Sequence, residues 1–305
     1  MPSRSEWERK LASWVSPASE AEEEKRRRTE RAIAEALRAA SLPPGIRTYA
    51  KGSYANNTNV RLDSDVDIAV EYTGIFYFEL IDGLRGRPTS DAGLPGGGAT
   101  GPYSGATGPA EFKSDVEQAL VRAFTRPAVT RRNKCLELRE SQRSLAADVV
   151  PCYTYKEFYG HDTFRQGTKI FPDRGGEIIN WPQQHYENGV AKNDRTRRRF
   201  KGMVRAVKHL ENEMLEKGLV DEVPSYLLEC LVFNIEDDCF GHDTLYADFR
   251  CVLARIYNGT MTDERCNEWV EVNDIKYLFR PSQRWTREQA HDFATRAWTY
   301  VGFDN

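Results

Sequence analysis

Residues 52–68 read GSYANNTNVRLDSDVDI, and this stretch decides the fold that the sequence predicts. It begins with a glycine-serine turn at Gly52 and Ser53 and ends in an apolar run with the pattern of a β-strand. Side chains two residues apart point to the same face of a strand. We therefore expect Asp65 and Asp67 to project together from the start of a strand.

Two carboxylates held this close repel each other unless a cation lies between them. Mg²⁺ is the usual cation, because it binds a few carboxylates together with the oxygens of a substrate phosphate. The backbone N–H groups of the glycine-serine turn suit phosphate oxygens. The combination indicates nucleotidyl transfer, whereas an Asp-x-Asp pair on its own is more often a solvated turn.

The composition is that of a soluble globular protein, with 305 residues, 40% hydrophobic and 29% charged. A net charge of −3 argues against a protein that coats nucleic acid, so small substrates are favoured. No apolar run approaches the roughly 18 residues of a membrane span, and the amino terminus lacks a signal-peptide core. The sequence therefore predicts a cytoplasmic protein with no membrane partner.

Six cysteines are scattered through the chain without a C-x-x-C pair. Most lie among apolar neighbours, where cysteine behaves as a small hydrophobic residue. We therefore expect all six to be reduced and no structural zinc site.

Helical and loop patterns flank the opening stretch. Residues 19–40 are rich in Ala, Glu, Lys and Arg, which predicts a long helix. Glycine and proline recur between residues 91 and 110, a composition typical of a mobile surface loop that is either a lid or an inert insertion. Apolar residues then repeat every four positions over 114–124, which predicts a short helix capped by Ser114.

One further carboxylate, Asp148, lies within an apolar strand pattern over residues 145–155. A buried, unpaired aspartate costs several kcal/mol, so it needs a partner. A metal ion shared with Asp65 and Asp67 is one such partner, and an arginine is the alternative.

The second half of the chain is mainly helical after a predicted hairpin over residues 168–182. One face of the helix from residue 200 is apolar, and Lys201, Arg205 and Lys208 lie on another face. These cations suit a triphosphate, although a solvated face explains them almost as well. A further helix opens at Pro224 and Ser225, where free N–H groups favour anions.

Taken together, Gly52-Ser53, Asp65-x-Asp67, a strand-borne Asp148 and a helical half resemble the polymerase-β-like nucleotidyltransferase superfamily. The closer resemblance is to the bacterial cGAS/DncV-like nucleotidyltransferases, or CD-NTases, of the E clade. It rests on the opening stretch, on HYENG with Lys192-Asn193, and on PSYLLECL from Pro224. Members of this family make cyclic oligonucleotide second messengers in anti-phage (CBASS) defence.

The resemblance implies an α+β fold with a mixed-sheet catalytic lobe over residues 1–182 and a helical lobe over 183–305, with the active site in the cleft between them. It implies that Asp65, Asp67 and Asp148 hold two Mg²⁺ ions, for which Mn²⁺ substitutes. Gly52, Ser53, Lys208 and Ser225 would hold the donor triphosphate, and Tyr226 would stack on a base. These roles are carried from the family to the matching positions of this sequence.

Asn180 stands where uridine-using members of the family carry an asparagine, which implies that UTP is one substrate. The other substrates are nucleoside triphosphates of unassigned base, and an effector protein encoded elsewhere binds the product. The zinc ribbon of animal cGAS is not visible, so no long nucleic acid is required. Two rival functions remain: a nucleotidyltransferase that makes a linear product or modifies RNA, a small molecule or a protein, and an inactive nucleotide-binding regulatory protein.

Overall fold

The computed structural model describes residues 3–60, 65–94, 108–141 and 145–303. Helices and strands both contribute substantially, so the fold is α+β as the sequence predicts. Of the predicted glycine- and proline-rich loop, residues 95–107 lie outside the described residues, as do residues 61–64 of the opening stretch. None of the described helices is long and apolar enough to cross a membrane.

The described residues form two compact units. The sheet unit contains residues 19–54 and those described between 65 and 182, and the helical unit contains residues 3–18, 55–60 and 183–303. The border after residue 182 coincides with the expected lobe border. Residues 3–18 and 55–60, however, group with the helices and not with the sheet.

The sheet unit is built on a mixed sheet. The strands described are β1 Ile46–Ala50, β2 Val66–Leu80, β3 Val129–Arg131, β4 Leu136–Leu138, β5 Ala147–Gly160, β6 Thr163–Ile170 and β7 Ile178–Asn180. The order is β1-β2-β5-β4-β3, with β6 also on β5 and β7 on β6. Strands β2 and β5 are parallel and the other pairs are antiparallel. The predicted hairpin over residues 168–182 is confirmed as β6 and β7.

One face of this sheet is covered by two helices, α2 Glu20–Arg38 and α4 Pro109–Phe124. Their apolar residues pack against the inward side chains of the central strands. The buried set includes Ile33, Leu37, Phe112, Val116, Leu120, Ile68, Val70 and Val149. A short helix, α3 Gly52–Asn56, follows β1. The opposite face carries Asp67 and Asp148 together with a small apolar cluster of Ala69, Val150, Cys152 and Ile170.

The start of α4 corrects the sequence prediction. Ser114 lies inside the helix, where its hydroxyl donates to the carbonyl of Ala110, and does not cap it. The helix begins instead at Pro109 after an extended Gly108. Proline suits a first helical position because a backbone N–H there would have no acceptor within the helix, so its absence costs nothing. The last residues of the predicted loop therefore belong to a helix.

The helical unit consists of α1 Arg4–Trp14, α5 Pro182–Arg195, α6 Phe200–Glu216, α7 Ser225–Phe233, α8 Leu245–Gly259, α9 Asp263–Cys266 and α10 Arg287–Val301. The predicted apolar face of α6 is confirmed, because all six of its residues are fully buried: Phe200, Met203, Val204, Val207, Leu210 and Met214. Helix α1 packs on the same core through Trp7 and Leu11.

The prediction of six reduced cysteines is wrong for two of them. Cys239 and Cys251 form a disulfide that joins the turn before α8 to that helix. The pair is separated by 12 residues, and the fold of the intervening turn brings the two Cα atoms to 5.4 Å. No spacing rule in the sequence signals this approach, because it depends on how the turn packs on α8.

Candidate active site

Asp67 and Asp148 are directly paired residues on the parallel strands β2 and β5. Asp65 immediately precedes β2. Val66 and Ile68, which alternate with Asp67, are fully buried, so burial fixes the face to which Asp67 points. The sheet therefore places Asp67 and Asp148 side by side, as expected.

Each of the three carboxyl groups has a pKa above its usual value. Burial is the main cause for all of them, and neighbouring carboxylates add to it. The charge of Lys51 partly offsets the effect at Asp67, and a hydrogen bond from Cys135 partly offsets it at Asp148. Ionising these three carboxyl groups therefore costs free energy, and a bound cation would offset that cost.

Two residues beside Asp148 were not singled out as functional from the sequence. Glu137 on β4 is directly paired with Asp148. Arg132 Nε donates to Glu137 Oε2 at 2.6 Å. The Cys135 thiol donates to Asp148 Oδ1 at 3.3 Å. The alternation of Leu136, Glu137 and Leu138 was the available signal, because an outward carboxylate on a neighbouring strand shares a face with Asp148.

Gly52 lies against the Asp67 carboxylate. A β-carbon at residue 52 would lie 2.1 Å from Asp67 Oδ2, and Gly52 has a φ of +69°. The backbone N–H of Lys51 donates to the carbonyl of Asp67 at 2.8 Å. The predicted glycine-serine turn is therefore the first turn of α3, docked on a site carboxylate with Ser53 as its second residue.

In the described ranges, no three or more side chains of histidine, cysteine, aspartate or glutamate are close enough together to bind a metal ion by themselves. The donor set at Asp65, Asp67 and Asp148 nevertheless has the chemistry that Mg²⁺ prefers, since it offers only carboxylate oxygens. These carboxylates fit such an ion if a substrate supplies the remaining ligands.

Asn180 lies on the same sheet face as Asp148. Directly paired residues share a face, and Asn180 is paired with Thr168, which is paired with Thr154. Thr154 is six residues after Asp148 on β5, an even number, so the two also share a face. The half-buried Asn180 side chain thus belongs to the sheet face that carries the carboxylates.

Lys208 is not a free surface cation. Its side chain on α6 is 3% exposed, and its ammonium donates to the carbonyl of Thr58 at 3.0 Å. It also pairs with Glu229 Oε2 at 3.3 Å. Glu229 accepts two further hydrogen bonds at 2.8 Å, from the hydroxyl of Thr58 and from His185 Nε2.

The expected cationic face of α6 is therefore corrected. Arg205 is also buried, and its guanidinium donates to the backbone carbonyls of Val15 and Asn57. Buried cations require partners, and here the partners are supplied by chain segments that the sequence places far away. The contact of Lys208 with a triphosphate stays a prediction.

Ser225 and Tyr226 open helix α7, as predicted. The Tyr226 ring packs 5.4 Å from the His185 ring and 6.1 Å from Trp285 between centroids. Its hydroxyl donates to Glu271 Oε2 at 3.2 Å, and burial raises its pKa well above the usual value. Lys208, Ser225 and Tyr226 thus share the helical unit, while the other expected site residues share the sheet unit.

Comparison with known proteins adds independent information. Residues 187–302 match the family model described as the cGAS/DncV-like nucleotidyltransferase C-terminal helical domain. A protein from Cecembia lonarensis named cyclic dipyrimidine nucleotide synthase CdnE is 36% identical, covering 97% of this chain and 98% of its own.

Solved structures agree over nearly the whole chain. The Elizabethkingia meningoseptica CdnE cyclic dinucleotide synthase, solved with GTP and Apcpp, matches with a TM-score of 0.78 and 32% identity over 97% of this chain and 98% of its own. The Rhodothermus marinus CdnE c-UMP-AMP synthase, solved with Apcpp and Upnpp, matches with a TM-score of 0.81 and 28% identity over 98% of this chain and 97% of its own.

The fold class expected from the opening stretch is thereby confirmed as polymerase-β-like. The relatives carry the CdnE name, so the resemblance to the E clade is confirmed as well. The chain belongs to the cGAS/DncV-like nucleotidyltransferase family and is a nucleotidyltransferase of its CdnE branch.

Proposed function

We propose that this enzyme makes a cyclic di- or oligonucleotide from nucleoside triphosphates, with UTP among its substrates. The pairing of Asp67 with Asp148 across β2 and β5 carries the proposal, because it concentrates carboxylates beside Gly52. The similar proteins are named cyclic nucleotide synthases, which supports the same class of product here.

Asp65, Asp67 and Asp148 are the residues that would hold two Mg²⁺ ions, or Mn²⁺ in their place. When bound, the ions would lower the pKa of the acceptor ribose hydroxyl and neutralise charge on the departing pyrophosphate. The raised pKa values of the trio support a cation site, because a cation offsets the cost of the ionised carboxylates. Phosphate oxygens of the bound nucleotide complete the ligand set in this proposal.

The residues proposed to hold the donor nucleotide are those that the family resemblance implies. Gly52 and Ser53 bind the triphosphate through backbone N–H groups and a hydroxyl, and Ser225 adds the start of α7. Lys208 contributes charge to the same triphosphate while it remains bonded to Glu229. Tyr226 stacks on a base.

Each transfer forms one bond and breaks one. The acceptor ribose hydroxyl attacks the α-phosphorus of the donor, the bond to the bridging oxygen breaks, and pyrophosphate leaves. Asp148 accepts the hydroxyl proton. In the last transfer the linear intermediate supplies its own triphosphate as the donor, which closes the ring.

Asn180 is proposed to select uracil, because its amide offers both a donor and an acceptor to a pyrimidine edge. The name of the Cecembia lonarensis relative, a cyclic dipyrimidine nucleotide synthase, supports this choice. The Elizabethkingia meningoseptica enzyme, solved with GTP and Apcpp, indicates that base choice varies among similar proteins. The base is therefore assigned from residues of this chain.

We place the reaction in the cytoplasm, where nucleoside triphosphates are abundant, and assign it to anti-phage signalling. The product would act by binding an effector protein. This role rests on the family resemblance and on the chemistry of a small, diffusible nucleotide product.

The decisive experiment incubates the protein with Mg²⁺ and the four nucleoside triphosphates, singly and in pairs. Phosphatase-resistant products are then identified by mass spectrometry. We expect a cyclic product that contains uridine and release of pyrophosphate. Asp67→Ala and Asp148→Ala proteins serve as controls and should form none.

Other outcomes separate the rivals. A product that loses terminal phosphates to phosphatase indicates a linear oligonucleotide, and label transferred to RNA, a small molecule or protein indicates a modifying enzyme. No turnover with Mg²⁺ or Mn²⁺ favours a nucleotide-binding regulatory protein.

A further inference from the structure

Strand β7 approaches β6 closely at Gly167. A β-carbon at residue 167 would lie 2.5 Å from the backbone oxygen of Asn180 and 2.8 Å from Cε3 of Trp181. Real β-carbon contacts essentially never fall below 3.0 Å. The φ of Gly167 is not in the left-handed region, so space and not backbone conformation is what requires glycine here.

The Trp181 ring fills the space over this glycine. Trp181 is 3% exposed, its ring packs edge-on to Tyr155 at 5.8 Å between centroids, and the Arg165 guanidinium lies 5.2 Å from its ring centroid. Tyr155 is the strand partner of Gly167 on β5. The ring therefore lies on the Tyr155 face of the sheet, opposite the face that carries Asn180 and Asp148.

Asn180 lies at the end of a short strand. Strand β7 has three residues, Ile178–Asn180, and among the described strands it is paired with β6. Asn180 is the last of them, so its position depends on the contact that follows at Trp181. A ring packed on a glycine of the neighbouring strand is a close and specific contact, and a methyl group would abolish it.

We propose that Gly167 is a positioning residue for base selection, which sets the location of Asn180 through Trp181. This inference rests on the proposed role of Asn180 in binding uracil. With an alanine at residue 167, the distance from its β-carbon to the Asn180 backbone oxygen would have to grow from 2.5 Å to at least 3.0 Å, so β6 and β7 would separate there by about half an ångström. Site groups need to be held to roughly that precision, because hydrogen bonds weaken steeply as their geometry changes.

The test measures base preference and not activity alone. Wild-type, Gly167→Ala, Asn180→Ala and Gly160→Ala proteins are each given UTP in competition with ATP, and the ratio of the two kcat/KM values is determined from product composition. This ratio does not depend on the fraction of folded enzyme. Gly160 is the matched control, because it lies on the same sheet and a β-carbon there would meet only Thr163 at 3.4 Å.

We expect Gly167→Ala to reduce the preference for UTP about tenfold, in the same direction as Asn180→Ala, while Gly160→Ala leaves it unchanged. Trp181→Leu tests the same contact from the other side and is expected to act likewise, which covers the case in which Gly167→Ala does not fold. The inference is overturned if Gly167→Ala and Trp181→Leu keep the ratio within twofold while Asn180→Ala changes it.

Two other outcomes bear on the proposed function itself. An unchanged ratio in Asn180→Ala would remove the role of Asn180 in base choice, and the inference with it. Absence of any nucleotide product from the wild-type protein would contradict the proposed reaction independently of either residue.

Discussion

Gly52 and Asp67 are in such close contact that the position of the Asp67 carboxylate excludes any side chain at residue 52. The hypothetical β-carbon lies 2.1 Å from Asp67 Oδ2, and the φ of +69° is one that only glycine adopts readily. The turn proposed to bind phosphate and a carboxylate proposed to bind metal are thus fitted to each other. A change at residue 52 therefore acts on both.

Gly52→Ala is expected to lower kcat/KM by at least about 100-fold, because displacement of a site group by an ångström has effects of that size. The measurement is pyrophosphate release at saturating and limiting nucleotide. Gly83→Ala is the matched control, since no described atom beyond its chain neighbours lies within 4 Å of a β-carbon there. Near-normal activity of Gly52→Ala would contradict the proposed docking.

Asp67→Asn is expected to abolish turnover and yet to raise the melting temperature of the metal-free protein. Burial raises the pKa of Asp67, and the charge of nearby Asp148 adds to this effect. A neutral side chain of the same shape removes the free-energy cost of a buried, repelled charge. Activity should fall about 1,000-fold or more, the effect of losing a group that stabilises charge at the reacting centre. Thermal unfolding in the presence of a chelator checks the stability change.

The control for that comparison is Asp115→Asn, which removes a carboxylate from α4 in the same unit. Added Mg²⁺ should raise the melting temperature of the wild-type and Asp115→Asn proteins but not that of Asp67→Asn. A lower melting temperature for metal-free Asp67→Asn would show that the carboxylate is stabilising without metal, against our expectation.

Glu229→Gln is expected to destabilise the helical unit by about 3–5 kcal/mol, the usual effect of leaving a buried charge without its partner. Burial acts to raise the pKa of Glu229, but the charges of Lys208 and His185 outweigh it and hold the pKa below the usual range. The group is therefore a carboxylate at neutral pH. Urea unfolding at pH 7 measures the change.

Thr58→Val is the matched variant, because it removes only the hydroxyl that donates to Glu229. Loss of one buried hydrogen bond costs about 1–3 kcal/mol. Equal effects of Thr58→Val and Glu229→Gln would indicate that the ion pair with Lys208 adds nothing to the hydrogen bond.

Glu213 should make the stability of the helical unit sensitive to acid. Burial acts to raise its pKa, but hydrogen bonds from Lys10, Lys217 and Tyr300 lower it to about 2. A carboxyl whose folded-state pKa is lowered contributes stability above its unfolded pKa of 4.5, and this contribution disappears as the pH falls toward 2. The unfolding free energy of the wild-type protein should exceed that of Glu213→Gln by about 1–2 kcal/mol at pH 7 and by little at pH 2.5.

The check is the difference in unfolding free energy between the two proteins across that range. Glu216→Gln is a suitable control, because it removes an exposed carboxylate at the end of α6, the helix that carries Glu213. A difference for Glu213→Gln that does not change with pH would rule out the lowered pKa as its source.

Local patterns were sufficient to predict most elements. The alternation at the start of β2 and the apolar repeat on α6 were both confirmed, because Val66, Ile68 and the apolar face of α6 are fully buried. Helix α1 was not predicted, although Ser3 and Glu6 form a capping box at its start. That signal is short, and the helix is held mainly because Trp7 and Leu11 pack against helices that lie far away in the sequence. Its existence depends on a core that neighbouring residues do not reveal.

By itself, the sequence determined that Asp65 and Asp67 lie at the start of a strand behind a glycine-serine turn, because strand alternation and turn chemistry are properties of adjacent residues. Only the tertiary structure decided that Asp148 is the direct partner of Asp67 and that Lys208 is buried against Glu229. Strand register and ion pairing join residues far apart in the chain, so they are set by packing of the whole unit and not by any local pattern.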